Sequence, residues 1–251
     1  MKISIITPTL NHANFIEETI RSVLDQHYSN FEHIIIDGGS KDGTLDILKK
    51  YKHLIWISEK DNGQSNAINK GFQMASGEIV AWLNSDDYYE KNTFNIVSEY
   101  FCSNLNCMIL YGNITYVDTK GKYLRSLTGD DISFTSLLKY PDLVRQPSTF
   151  WRKIVVDEIG GLDEKLQLVM DLDFFLRIGR RYKLEYINRN LSYFRVYSEG
   201  KTLKYQRKQV KEIIKVLHRN IKQIDRTTKR ILLRRYILSF PLFRFLLKKK
   251  N

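Results

Sequence analysis

Cysteine is nearly absent from this chain, and proline is almost as rare. Two cysteines, Cys102 and Cys107, among 251 residues cannot build a disulfide framework or a four-ligand zinc site. They are expected as core thiols of a cytosolic protein. Thirteen glycines and four prolines exclude collagen-like and low-complexity disordered chains. No run of about 18 apolar residues occurs, so no segment is expected to cross a bilayer as a helix. The opening Lys2-Ile-Ser-Ile-Ile-Thr7 is strand-like, too short for the apolar core of a secretory signal and without a cleavage site. Acids are scarce in one place only. From Lys201 to Asn251, 17 Lys and Arg face Glu212 and Asp225, whereas residues 1–200 carry 23 basic against 26 acidic side chains. The net charge of +12 therefore belongs to the tail, which excludes a global basic patch.

What is present is a hydrophobic content of 43%, enough for one sizeable core, arranged in alternating strand and helix periods. Lys2–Thr7 predicts a strand stopped by Pro8. Phe15, Ile16, Thr19, Ile20, Val23 and Leu24 predict one face of a helix, with Asn14 as its cap. Strands are expected at Phe31–Ile36, Leu54–Ser58 and Glu78–Leu83, and helices at Thr44–Tyr51 and Ser65–Met74. The order is that of a largely parallel sheet with crossover helices. The alternation then loosens. A helix over Thr93–Phe101, a strand over Met108–Tyr111 and a hairpin over Ile114–Leu127 follow. Short helices are expected at Phe134–Tyr140 and Lys153–Ile159, a longer one at Asp171–Arg180, and weaker strands at Leu184–Ile187 and Leu191–Arg195. The domain is expected to close near residue 200, leaving 201–251 as a separate basic helical tail.

In open parallel sheets, ligands bind beyond the carboxyl ends of the strands. Here those ends carry Thr7-Pro8, Asp37, Asp61 and Asp86-Asp87. Each alone reads equally well as a turn former, but four in succession would converge on one rim. The turn after the first strand is Pro8-Thr9-Leu10-Asn11. It lacks the G-x-G-x-x-G of a dinucleotide site, and no Walker loop occurs. Phosphates would then need another source of positive charge. A divalent cation on adjacent carboxylates supplies one, and Asp86-Asp87 suits Mg²⁺ or Mn²⁺. The five histidines show no ligand spacing and read as surface or loop residues, and no G-x-S-x-G elbow marks a serine hydrolase.

Five segments, in order over residues 2–200, resemble those of family 2 glycosyltransferases. Ile5-Ile-Thr-Pro-Thr-Leu-Asn11 resembles their opening strand, and Asp37-Gly-Gly-Ser-Lys-Asp-Gly-Thr44 their D-G-x-S-x-D-G-T turn. Gly77-Glu-Ile-Val-Ala-Trp-Leu-Asn-Ser-Asp-Asp87 is similar to the strand entering their D-x-D-type metal motif. Gly160-Gly-Leu-Asp-Glu164 and Met170-Asp-Leu-Asp-Phe-Phe-Leu-Arg177 match later segments of the family. The resemblance implies a GT-A-type, Rossmann-like α/β fold with a mostly parallel sheet flanked by helices. It implies a nucleoside pocket lined by Thr7 and Pro8, and Asp37 accepting a hydrogen bond from the base. Asp61, Gln64 and Ser65 would lie in a polar loop beside the nucleotide. Asp86 would approach the ribose or metal, and Asp87 would hold the Mg²⁺ or Mn²⁺ that bridges the diphosphate. Asp171 falls at the position of the catalytic base in inverting members; read from the residues alone, it serves equally as a helix cap. The chain departs from the pattern at Asn84, where Asp is usual, at Met170, where Glu is usual, and at Tyr197, where many relatives carry His. Gln146-Pro-Ser-Thr-Phe-Trp151 reads either as part of the acceptor side or as a strand with a core contact.

The tail mixes Ile, Leu, Phe and Tyr with Lys and Arg, a density that fits a helix lying in an anionic membrane interface. Pro241 is expected to kink it. A helix packed on the body, or an oligomer contact, is the plainer alternative; nucleic acid is disfavoured because the apolar content exceeds what phosphate contacts need. The expected function is inverting transfer of a sugar from a nucleotide-sugar, foremost a UDP-sugar, to a hydroxyl of a glycan or polyprenyl-linked acceptor. The expected setting is bacterial surface-polysaccharide assembly, cytoplasmic and peripheral on the inner face of the membrane. A non-catalytic nucleotide-sugar or glycan-binding protein of the same fold is the alternative.

Overall fold

The computed structural model describes residues 1–129, 132–139, 143, 145–197, 205–221, 226 and 230. Its first half follows from runs of β-branched residues separated by turn formers. β1 (Ile3–Thr9), β2 (Phe31–Asp37), β3 (Leu54–Ser58) and β4 (Ile79–Trp82) are parallel, in the order β3-β2-β1-β4. β1 is buried along its whole length between two neighbours, which is why it reads as an apolar run rather than an alternation. Pro8 does not stop it. The strand continues to Thr9, in register with Asp37. The β4 pairing ends at Ile6–Trp82, so the N–H that proline lacks falls where no ladder partner is needed.

The connecting helices are α1 (Ile16–Leu24), α2 (Thr44–Leu48) and α3 (Gln64–Met74). α1 buries Ile16, Thr19, Ile20 and Val23, the i, i+3, i+4, i+7 stripe of an amphipathic helix. Asn14 is not its cap. Phe15 holds that position without a side-chain bond, and the His12 carbonyl takes the N–H groups of Phe15 and Ile16 instead. α3 lies against β1 at Gly71, where a side-chain methyl would meet Ile6 Cγ1 at 2.9 Å; only glycine allows this approach.

The second half is mixed rather than mostly parallel. The sheet continues β4-β8-β6-β9-β5, with β5 (Tyr88–Tyr89), β6 (Ile109–Val117), β7 (Tyr123–Leu127), β8 (Thr149–Arg152) and β9 (Leu184–Arg195). β8 runs antiparallel to β4 and β6, whereas β6 and β9 are parallel. The strand expected at 108–111 and the first arm of the hairpin are one strand, β6. The two weak strands at 184–187 and 191–195 are likewise one, β9, whose pairing with β6 slips twice and so breaks the alternation along its sequence. α4 (Thr93–Ser103) covers one face. α5 (Phe134–Lys139), α6 (Lys153–Ile159) and α7 (Met170–Gly179) follow, with α7 burying Leu172, Phe174, Phe175 and Leu176 against Trp82, Trp151 and Phe72. Cys107 is buried as expected, but Cys102 is exposed.

α8 (Gln206–Ile221) opens the basic tail. It places Ile213, Val216 and Leu217 in the same core as α7, and Arg180 donates to the Asn220 carbonyl at 3.0 Å. The body and the start of the tail therefore share one core. Residues 231–251, with Pro241 and most of the apolar-basic segment, lie outside the described residues. No helix among the described residues is long and apolar enough to cross a membrane.

Candidate functional site

The carboxyl ends of β1 to β4 are joined by a network of short polar contacts. After β1, the Asn11 N–H donates to Ser40 Oγ (2.7 Å), the His12 N–H to Thr44 Oγ1 (3.1 Å) and the Ala13 N–H to Asp42 Oδ2 (2.9 Å). The glycine-rich turn after β2 is thus held by the segment following β1. Asp37, fully buried, organises that turn: Oδ2 accepts from the N–H groups of Gly39 (3.0 Å) and Ser40 (2.9 Å) and from Ser58 Oγ at the end of β3 (2.6 Å). Its other oxygen accepts from Ser40 Oγ. Every one of these bonds shapes the loop, so the direct role at a base implied for Asp37 competes with a structural one. Asp61 caps the approach to α3 through the Gly63 N–H (2.8 Å) and abuts Gly38, where a methyl would meet its carboxylate at 2.9 Å.

Thr7 and Ser65 stand behind the rim. Both are fully buried, with Thr7 Oγ1 on His33 Nε2 (2.9 Å) and Ser65 Oγ on the Leu166 carbonyl (2.8 Å). Burial, and secondarily the nearby His53, pushes the His33 ring down to about 3, so it stays neutral. Pro8 is buried within β1. Gln64, at the first turn of α3, donates to Asn84 Oδ1 (2.8 Å).

The turn after β4 is the most charged part of the rim. Asn84 is its hub: besides accepting from Gln64, its Nδ2 donates to Asp87 Oδ2 (3.3 Å) and Gln146 Oε1 (3.2 Å). Gln146 is itself fixed on the Trp82 carbonyl at 2.5 Å. Thr19 of α1 clamps the turn from below through the carbonyls of Ser85 (3.0 Å) and Asp87 (2.7 Å). Asp87 is 1% exposed. Among the described residues its carboxylate accepts from Asn84 and from the Arg195 N–H (3.2 Å). Burial first, and the neighbouring Asp86 second, raise its carboxyl well above the usual range. Two adjacent carboxylates, one of them fully buried and raised by the other, are the condition a divalent cation relieves. The oxygens present fit Mg²⁺ or Mn²⁺. Among the described residues no cluster of three His, Cys, Asp or Glu surrounds one point, so the protein would contribute Asp86 and Asp87 and leave the other positions to a ligand.

Three further side chains border this turn, of which only Tyr197 stands out in the sequence, as the position where many relatives carry His. Arg195, at the end of β9, is buried with its guanidinium between the Phe15 ring (4.8 Å) and the Tyr88 ring (5.3 Å) and an ion pair to Glu18 (2.6 Å). Tyr197 OH donates to Asp86 Oδ2 at 2.7 Å and its ring leans on Phe15. His12, read as loop filler, contacts Ser85 Oγ through Nδ1 at 2.6 Å. Arg195 and Tyr197 lie about a hundred residues along the chain from the acids they touch, and the pairings of β9 with β5 and β6 bring them there.

Asp171 is half-buried in the first turn of α7, and its Oδ1 accepts from the Leu172 N–H at 2.8 Å. It is not the cap, because Val169 occupies that position. A carboxylate there is still favoured by the helix dipole. Asp173 points elsewhere, buried on Arg177 (2.9 Å), as the helical spacing of the pair requires. The loop before α7 is tied to the rim through Ser65 on Leu166.

The sequence profile described as Glycosyl transferase family 2 matches residues 4–187. The chain belongs to glycosyl transferase family 2. A Rickettsia felis glycosyltransferase is 32% identical over 213 residues, covering 78% of this chain and 34% of that protein. TuaG of Bacillus subtilis, a glycosyltransferase assigned to teichuronic acid biosynthesis, is 42% identical over 96 residues, covering 36% of this chain and 38% of that one. This family 2 chain thus spans about a third of the length of these relatives. Its fold matches the crystal structure of S. aureus TarS in complex with UDP-GlcNAc, with a TM-score of 0.74 at 21% identity, covering 96% of this chain and 73% of that one. The mannosyltransferase PcManGT of Pyrobaculum calidifontis, in complex with GDP-Man and Mn²⁺, matches with a TM-score of 0.64 at 16% identity, covering 99% and 79%. The fold of this family 2 member is therefore of GT-A type.

Proposed function

We propose that this chain transfers a sugar, with inversion, from a UDP-sugar to a hydroxyl of a glycan or lipid-linked acceptor. The observation that carries the reading is the turn after β4, where buried Asp87 and half-buried Asp86 meet at the rim formed by three other strand ends. Asp86 and Asp87 would hold Mg²⁺ or Mn²⁺, which supplies a charge sink for the departing diphosphate. Asn84, locked by Gln64 and Gln146, keeps Asp87 oriented without adding a third negative charge. Asp171, in the first turn of α7, would take the proton from the attacking hydroxyl. Asp37 and Asp61 set the two turns that border the nucleoside, and Thr7, Pro8 and Ser65 form the floor beneath them.

Surface-polysaccharide assembly is the setting suggested by the likeness to TuaG. The cytoplasmic face of the membrane follows from the tail, whose basic and apolar residues suit an anionic lipid interface. We place the transferase unit from β1 through α8, since these share a core, and assign the interfacial role to the residues that follow.

The reading is tested by turnover of UDP-sugars with and without Mn²⁺ in the full chain and in Asp171→Asn. The substitution keeps shape and removes the proton acceptor, so turnover should fall by about 10²–10⁴ while donor binding holds. Metal-independent turnover, or full turnover by Asp171→Asn, would refute it.

A further inference from the structure

We infer that Glu212 of α8 is a positioning residue for Asp171, so that the opening helix of the basic tail forms part of the catalytic unit. The inference rests on the reading of Asp171 as the base. Glu212 is one of two acids among the last 51 residues, yet it is buried where its basic neighbours Lys208, Lys211 and Lys215 are exposed. Its Oε2 accepts from the N–H groups of Gln167 (3.0 Å) and Leu168 (2.9 Å). Those two residues lie three and four positions before Asp171, in the segment that leads into α7. Backbone N–H groups withdrawn from solvent need acceptors, and one carboxylate oxygen here serves two of them.

The same short segment is gripped from its other sides. The Leu166 carbonyl accepts from Ser65 of α3, and the Gln167 side chain donates to the Glu164 carbonyl at 3.1 Å. Two turns after Glu212, Arg219 pairs with Asp163 at 2.7 Å and reaches Asp173, in the first turn of α7, at 4.0 Å. α8 therefore holds the chain both before and after Asp171, while Ile213, Val216 and Leu217 fix the helix itself in the core. A shift of α8 moves the segment that aims Asp171, and catalytic groups are sensitive to displacements of about 1 Å, which can cost about 10²-fold.

The full chain is compared with Glu212→Ala and Glu212→Gln by steady-state kinetics with the UDP-sugar and Mn²⁺, and by amide hydrogen exchange. Glu212→Ala should lower kcat about 10–100-fold, leave the donor KM within about twofold, and speed exchange at Gln167 and Leu168. The amide oxygen of Glu212→Gln keeps two lone pairs for the same two donors and should restore most of kcat. An unchanged kcat in Glu212→Ala, or a loss that Glu212→Gln does not recover, would overturn the inference. Absence of turnover in the unsubstituted chain would refute the transferase reading instead. The exchange measurement then decides alone, and unchanged protection of Gln167 and Leu168 in Glu212→Ala would overturn the Glu212 clasp.

Discussion

Replacing Asn84 by Asp restores the residue usual for the family's metal motif, and the structure fixes what that change does without metal. Asn84 Nδ2 is a donor to Asp87 Oδ2 at 3.3 Å and to Gln146 Oε1 at 3.2 Å. Asn84→Asp turns both contacts into meetings of acceptors. Gln146 cannot turn its amide to compensate without giving up the Trp82 carbonyl. Two unit charges 3.3 Å apart repel by about 5 kcal/mol at an effective dielectric of ~20. That is an upper figure, because the pair can bind a proton in common and remove most of the repulsion. Adding the lost hydrogen bonds, we expect Asn84→Asp to destabilise the metal-free chain by about 2–4 kcal/mol at pH 8, a fall in Tm of roughly 5–15 °C for a chain of this size. The sign of the pH dependence follows. A carboxyl whose pKa is raised on folding contributes most at low pH and loses that contribution as pH rises through the folded value. Asp87 is already raised, by burial and by Asp86, and Asn84→Asp raises the group further. The gap between variant and parent should therefore narrow as pH falls from about 8 to 5. Mn²⁺ should close it, since three carboxylates then share one cation and binding to the folded state raises Tm. Differential scanning fluorimetry with chelator or Mn²⁺ at each pH measures all three effects. A metal-free Asn84→Asp protein that melts with the parent at pH 8 would refute the reasoning.

Other substitutions separate packing from chemistry. Asp87→Ala should abolish metal-dependent binding of UDP-sugar, read by calorimetry, while raising metal-free stability at pH 8, because it removes a carboxylate whose charged form burial and Asp86 disfavour. Gly71→Ala should cost about 1–3 kcal/mol by crowding Ile6, more than the ~1 kcal/mol gained in helix propensity; urea unfolding should show the penalty vanish on an Ile6→Ala background. A chain ending after Arg230 should keep UDP-sugar binding but fail to sediment with liposomes containing anionic lipid, whereas the full chain sediments in a salt-weakened manner; equal sedimentation would remove the membrane assignment.

The first half of the fold was legible because its strands are parallel, with β1, β2 and β4 buried, and its helices are single-faced, so local pattern and tertiary burial agree. Where they parted, the cause can be named. Pro8 looked like a terminator because it lacks an N–H, but the β4 pairing ends before it, a fact no local pattern records. Asn14 has the chemistry of a cap, but the His12 carbonyl closes the first turn one residue later. β9 was split in two because its register slips against β6 hide its alternation. In the site, the acids at strand ends could be read directly, since topology places such ends together. Arg195 could not, because its approach to Asp87 depends on the pairings of β9 with β5 and β6, and Tyr197 stood out only as the position where many relatives carry His. The lone Glu212 did carry a signal, an acid on the apolar side of a basic helix.

Trp82 and Trp151 lie 5.3 Å apart between ring centroids with planes inclined at 69°, and both are buried. The third tryptophan, Trp56 on β3, is partly exposed. This arrangement makes the molecule optically asymmetric. Two indoles held so closely and at a fixed angle couple their transitions, giving a near-ultraviolet circular dichroism signal that exists only while the aromatic layer of Phe72, Phe174 and Phe175 is packed around them. The carbonyl of one of these indole residues anchors Gln146, and Gln146 anchors Asn84. Light absorbed at the core therefore reports on ground two residues from the carboxylates that meet the ligand, without any label attached.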